Sequence, residues 1–171
     1  MTGKLLSREF QDTTGLDDEQ WCEMAPRLNE QFADCHLDPK AALTSRIDLR
    51  HRSPMALPVY ALFRMQCGNW MPYTVRCRDL STNGIGLYHG GFMHPDTRCY
   101  ILFKEKGKSS KLLGRVRHCV LLTGKIHLIG VQFDAPIDLR TYLPLLKAAP
   151  PRTRVTDSIA GMVCHEDEAA A

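Results

Sequence analysis

Between residues 57 and 134, short runs alternate apolar and polar side chains and are broken by turn residues. Val59-Tyr60-Ala61-Leu62-Phe63-Arg64-Met65 reads as a strand. So does Trp70-Met71-Pro72-Tyr73-Thr74-Val75-Arg76-Cys77-Arg78-Asp79, with Tyr73, Val75 and Cys77 on one face and Thr74, Arg76 and Arg78 on the other. Gly68-Asn69 offers a tight turn between the two, since both residues tolerate positive φ. Further strands are predicted over 84–88, 98–103, 112–121 and 126–133, with Leu122-Thr123-Gly124-Lys125 joining the last two. Six short strands with glycine-rich turns point to a mainly β fold, a small antiparallel barrel or sandwich.

Helical spacing appears on both sides of this block. Trp21, Met24, Ala25, Leu28 and Phe32 share one face of an amphipathic helix, which Asp17 or Asp18 can cap and which an interruption near Pro26 should break. Its apolar face must dock on its own domain or on a partner. Residues 137–146 predict a short terminal helix limited by Pro144, and Pro150-Pro151 closes the folded part. The tail 148–171 is polar, lacks periodicity and is expected to be disordered. The chain therefore divides into an acidic helical extension, 1–45, a β-rich domain, 46–147, and that tail.

Charge sharpens the division. Residues 1–45 carry 4 Lys+Arg against 9 Asp+Glu, whereas residues 46–134 carry 14 against 5, so a formal net charge of +3 conceals a middle segment of +9. Such a segment suits an anionic ligand or nucleic acid. The seven cysteines, Cys22, Cys35, Cys67, Cys77, Cys99, Cys119 and Cys164, are scattered without a Cys-x-x-Cys pair, which favours reduced thiols over a structural metal. Cys35-His36 and His118-Cys119 are adjacent pairs, and neighbours on a strand point to opposite faces. No stretch reaches the roughly 20 apolar residues of a membrane span, so a cytoplasmic protein is expected. Enzyme chemistry finds no support: Ser81 lies outside any Gly-x-Ser-x-Gly elbow, no phosphate-loop signature occurs, and His89, His94, His118 and His127 have no nucleophile beside them.

Two short motifs carry the chemistry. In Arg46-Ile47-Asp48-Leu49-Arg50 the arginines share a side whether the backbone is extended or helical, and in the extended case Arg52 joins them. An arginine fork donates two hydrogen bonds to guanine O6 and N7 or to a phosphate. In Asp79-Leu80-Ser81-Thr82-Asn83-Gly84 the carboxylate is an acceptor suited to the N–H donors of guanine's Watson–Crick edge, and Ser81 adds a small donor and acceptor. Gly84 allows a backbone conformation or a close approach that a side chain would obstruct. Charge-assisted contacts of about 1.5 to 3 kcal/mol each would together support submicromolar binding.

Arginines four apart, then Asp-x-Ser-x-x-Gly after the second strand, then Gly84-Ile85-Gly86-Leu87, Gly114-Arg115-Val116 and Ile129-Gly130-Val131-Gln132-Phe133, make residues 46–147 resemble a PilZ domain. The resemblance implies a six-stranded antiparallel barrel with an N-terminal helical extension and a short C-terminal helix. It implies a non-enzymatic bacterial receptor for cyclic di-GMP, with no metal or other cofactor, that changes conformation on binding and signals to a protein partner. Arg46 and Arg50 would grip guanine and phosphate from a segment ahead of the barrel, while Asp79, Ser81 and Gly84 hold the other side. Many family members carry their second arginine near Arg52, which leaves two working pairs open, Arg46 with Arg50 or Arg50 with Arg52. Ser45 stands where members that bind a stacked ligand dimer tend to have a third arginine, so one ligand per chain is expected. Two competitors remain: a PilZ-like adaptor without nucleotide binding, and a basic nucleic-acid-binding barrel, on which Trp70 and Tyr73 could stack bases although both read first as core or strand-edge residues.

Overall fold

The structure, a computed structural model, describes residues 10–32, 51–53, 56–105 and 108–147. Arg46, Arg50 and the tail expected to be disordered lie outside the described residues. A helix, α1 (Asp18–Gln31), precedes seven strands: β1 (His51–Arg52), β2 (Pro58–Arg64), β3 (Trp70–Leu80), β4 (Gly84–His89), β5 (Arg98–Glu105), β6 (Lys108–Thr123) and β7 (Ile126–Phe133). A second helix, α2 (Leu139–Lys147), follows them.

The strands pair antiparallel in the order β1-β3-β2-β5-β6-β7-β4, and a β3–β4 pairing closes the six long ones into a barrel. The six strands expected from alternation are all present. The two-residue β1 is an addition: it prolongs the β2 edge of β3, with His51 opposite Leu80 and Arg52 opposite Asp79.

Alternation explains the core. Val59, Ala61 and Phe63 of β2, Val75 and Cys77 of β3, Ile85 and Leu87 of β4, and Ile129 and Val131 of β7 point inward and are buried. Tyr142 and Leu146 of α2 join the same cluster, Tyr142 packing 5.0 Å from Phe103 between ring centroids. Ile137 N donates to Thr82 O at 2.9 Å, which ties the approach to α2 to the loop after β3.

Three local expectations need correction. The β2–β3 connection spans Met65–Asn69 rather than a two-residue turn, and in it only Gly68 takes positive φ, at 83°. Met65 closes this loop by donating to Asn69 O at 2.8 Å and accepting from Gly68 N at 2.8 Å. Helix α1 runs through Pro26 without a break. A proline there removes one backbone hydrogen bond, but Trp21, Ala25 and Leu28 are buried on either side of it, and that burial holds the helix together. Helix α2 passes through Pro144 in the same way, held by Tyr142 and Leu146.

Candidate functional site

Helix α1 lies on the outside of the barrel. Asp17 caps it in a capping box with Gln20. Its apolar face meets Tyr88, Ile126, Leu128 and Ala56 in a second buried cluster, where the Trp21 and Tyr88 rings stack with centroids 5.6 Å apart. Tyr88 Oη also donates to Asn29 Oδ1 at 2.8 Å. Polar contacts join this packing. Arg76 is buried under the helix, with Nη2 2.6 Å from Asp18 Oδ1 and 3.9 Å from Asp12 Oδ2, and its guanidinium stands 5.7 Å from the Trp21 ring centre. Arg78 Nη2 donates to Phe32 O, at the end of α1, at 2.6 Å. The acidic extension thus covers two of the arginines that make the middle segment basic.

Two β-bulges decide what the rest of this outer face presents. Cys77 pairs with Leu87, and the next registered pair is Asp79 with Gly86, so Arg78 is an extra residue in β3. Strict alternation from Val75 and Cys77 would send Asp79 into the core. The extra residue resets the phase, and Leu80 points inward instead. In β6 the register shifts between Val116, which is in the core, and His118, which pairs with Gly130, making Arg117 the extra residue.

The register then lines up one row across five strands: Arg52, Asp79, Gly86, Gly130 and His118. Both central residues are glycines, and both positions are filled by a neighbour's side chain. A Cβ on Gly86 would stand 2.8 Å from Asp79 Oδ1, and one on Gly130 would collide with the His118 imidazole. The carboxylate and the ring therefore lie over the floor of a shallow trough. The row Arg76, Tyr88 and Leu128 beneath α1 bounds one end, and the row Gly84, Gln132 and Arg115 bounds the other. At that second row, Arg98, Arg115, Arg117, Gln132, Phe133 and Asp134 line a groove of about 330 Å³. Arg117 Nε donates to Gln132 Oε1 at 2.6 Å, and Arg98 Nη1 to Asp134 Oδ2 at 2.9 Å.

The motif residues are placed as follows. Asp79 is 3% exposed, and its Oδ2 lies 3.7 Å from Arg78 Nε. Ser81, also buried, donates from N at 2.9 Å and from Oγ at 3.3 Å to Gly84 O, closing the turn after β3. Gly84 does not take positive φ. A Cβ there would meet Val131 O at 2.5 Å, so the close approach it permits is that of the β7 backbone. Arg52 reaches the site through its backbone pairing with Asp79. The row thus brings Arg52, Asp79 and the Ser81 turn together.

Beneath the carboxylate, burial and then the charge of Asp79 push the Cys77 thiol well above its ordinary value, which keeps it protonated and unreactive. Tyr73 faces Phe63 and His89, and Trp70 packs beside Tyr100, so neither ring stands on the trough. Sequence reasoning missed Gly86, Gly130 and His118 as parts of one surface. The available signal was a glycine inside each of two strand patterns, which marks a close approach.

Among the described residues no group of three His, Cys, Asp or Glu side chains could hold a metal ion. None of their helices is long and apolar enough to cross a membrane.

Comparisons with known proteins bear on this geometry. None of the curated proteins compared with the chain matches it. Among solved structures, the crystal structure of the Borreliella burgdorferi PlzA protein in complex with c-di-GMP matches with a TM-score of 0.43 at 15% sequence identity. The match covers 69% of this chain and 46% of that one, so the chain spans less than half the length of that protein. The PilZ domain model matches residues 48–147, from just ahead of β1 to the last residue of α2. A match over more than half of the sequence, and a closed six-stranded barrel across the same residues, establish that the chain belongs to the PilZ domain family.

Proposed function

We propose that the protein is a receptor for cyclic di-GMP, binding it on the outer barrel face beside Asp79 and under the arginine segment 46–52. The observation that carries this reading is the pairing of Arg52 in β1 with Asp79 in β3, which delivers the end of the arginine segment to the motif carboxylate. Family membership and the cyclic di-GMP named for the PlzA complex point to the same ligand.

In this reading Asp79 accepts the Watson–Crick N–H donors of a guanine, and the arginine forks take phosphate and the guanine O6/N7 edge. Ser81 acts mainly by holding the turn that fixes Asp79, and Gly84 by letting β4 close on β7. Both arginine pairs, Arg46 with Arg50 and Arg50 with Arg52, are compatible with the backbone at Arg52. Binding involves no bond-making step. Its output is a change at α1, whose last turn is tied by Arg78 to the residue beside the site, and a protein partner reads that change.

Titration calorimetry of the full chain with cyclic di-GMP tests the reading. Submicromolar binding that Asp79→Ala or Arg50→Ala weakens at least about tenfold supports it. No heat at tens of micromolar protein, or equal binding by the double variant, overturns it.

A further inference from the structure

The far wall of the trough belongs to neither motif. His118 is half-buried on β6, turned outward by the Arg117 bulge, and its ring occupies the space that a side chain on Gly130 would fill. The Asp79 carboxylate occupies the matching space over Gly86. Gly86 and Gly130 are register partners on adjacent strands, and side-chain positions so related lie about 5 Å apart. A carboxylate and an imidazole therefore converge from opposite sides onto a glycine floor.

A neutral imidazole carries one donor and one acceptor, and a carboxylate is acceptor only. Along the Watson–Crick edge of guanine, N1–H and the 2-amino group donate while the neighbouring O6 accepts. Adenine presents the opposite pattern there, an amino donor beside an acceptor nitrogen. An acceptor with a donor next to it is complementary to guanine and opposed to adenine.

Resting on the cyclic di-GMP reading above, we propose that His118 is a further ligand-contact residue: its imidazole donates to O6 of the guanine that Asp79 holds, and Gly130 keeps the ring in that place. The pair discriminates guanine from adenine on the barrel itself, independently of the arginine segment.

The test uses the full chain and two readouts. Calorimetry compares wild type with His118→Ala and with Gly130→Ala, which leaves the imidazole intact but displaces it. Each variant is expected to bind cyclic di-GMP about tenfold more weakly. Carbethoxylation by diethyl pyrocarbonate, followed by mass spectrometry on the wild type, is expected to slow at His118 when cyclic di-GMP is added and to be unchanged at the exposed His94. This second readout decides the matter if a variant fails to fold. Wild-type binding that both variants retain within about twofold, with His118 reactivity unaltered by ligand, overturns this inference and leaves the receptor reading standing. A wild type silent toward cyclic di-GMP overturns the receptor reading, and this inference falls with it.

Discussion

Gly86 ties a single hydrogen atom to the geometry of the site. Its missing side chain is the room in which the Asp79 carboxylate lies, so Gly86→Ala should push that carboxylate aside while leaving the barrel closed. Calorimetry should show cyclic di-GMP affinity falling at least about tenfold, with a circular dichroism spectrum like that of the wild type. His89 makes a different prediction. It is 2% exposed, with Thr13 Oγ1 3.1 Å from its Nδ1 and the Tyr73 ring beside it. Burial, helped by His127 and opposed by Asp12, lowers its pKa from 6.5 to about 4. The unfolded chain therefore binds the proton more readily than the folded one. Stability is intact above about pH 6.5 and should decline toward pH 4, by up to about 3 kcal/mol for this one group. Thermal melts across that range should show His89→Gln with a shallower decline than the wild type. Asp79, Ser81 and Gly84 were legible as a motif because turn chemistry leaves residue types at fixed offsets. His118 was not, because only pairing across β7 and β4 relates it to Asp79.

The strands were readable because each has one buried face, and burial writes a period of two into the sequence. The helix was readable from its own period, but its seat was not: nothing in Trp21, Ala25 and Leu28 says that they will cover Tyr88 and Leu128. That seat brings opposite charges of the first two segments together, since Asp18 and Asp12 meet Arg76 beneath the helix. Trp21 has no exposed surface, and Trp21→Ala should cost about 3 kcal/mol or more of docking. Hydrogen exchange should then quicken across Asp18–Gln31 more than across β5 and β6, which α1 does not need to hold together. Uniform quickening would mean that α1 and the barrel unfold as one unit. Pro26 misled the sequence reading because the rule that proline ends helices describes the backbone alone, and here side-chain burial on both sides outweighs it.

Among the described residues, the barrel offers an inner face that packs and an outer face that carries α1, the trough and the arginine-lined groove. Ser45, not a third arginine, stands ahead of Arg46, so calorimetric stoichiometry should be close to one; a value near two would indicate a stacked ligand dimer. Binding should also persist as salt rises and discriminate between bases, unlike nucleic-acid binding through the basic surface, which would weaken steeply and ignore base identity. The bulges at Arg78 and Arg117 carry a consequence for kinship within the family. Side-chain direction along a strand is a parity, and each bulge adds one step to the count. A relative that has lost the single residue equivalent to Arg78 has its aspartate directly after the inward residue equivalent to Cys77, so plain alternation turns that aspartate outward without any bulge. A relative that keeps that residue but pairs without the bulge turns its aspartate inward while keeping Asp-x-Ser-x-x-Gly letter for letter, so the direction of the motif aspartate follows from the residue count after the core position of Cys77 taken together with the pairing there.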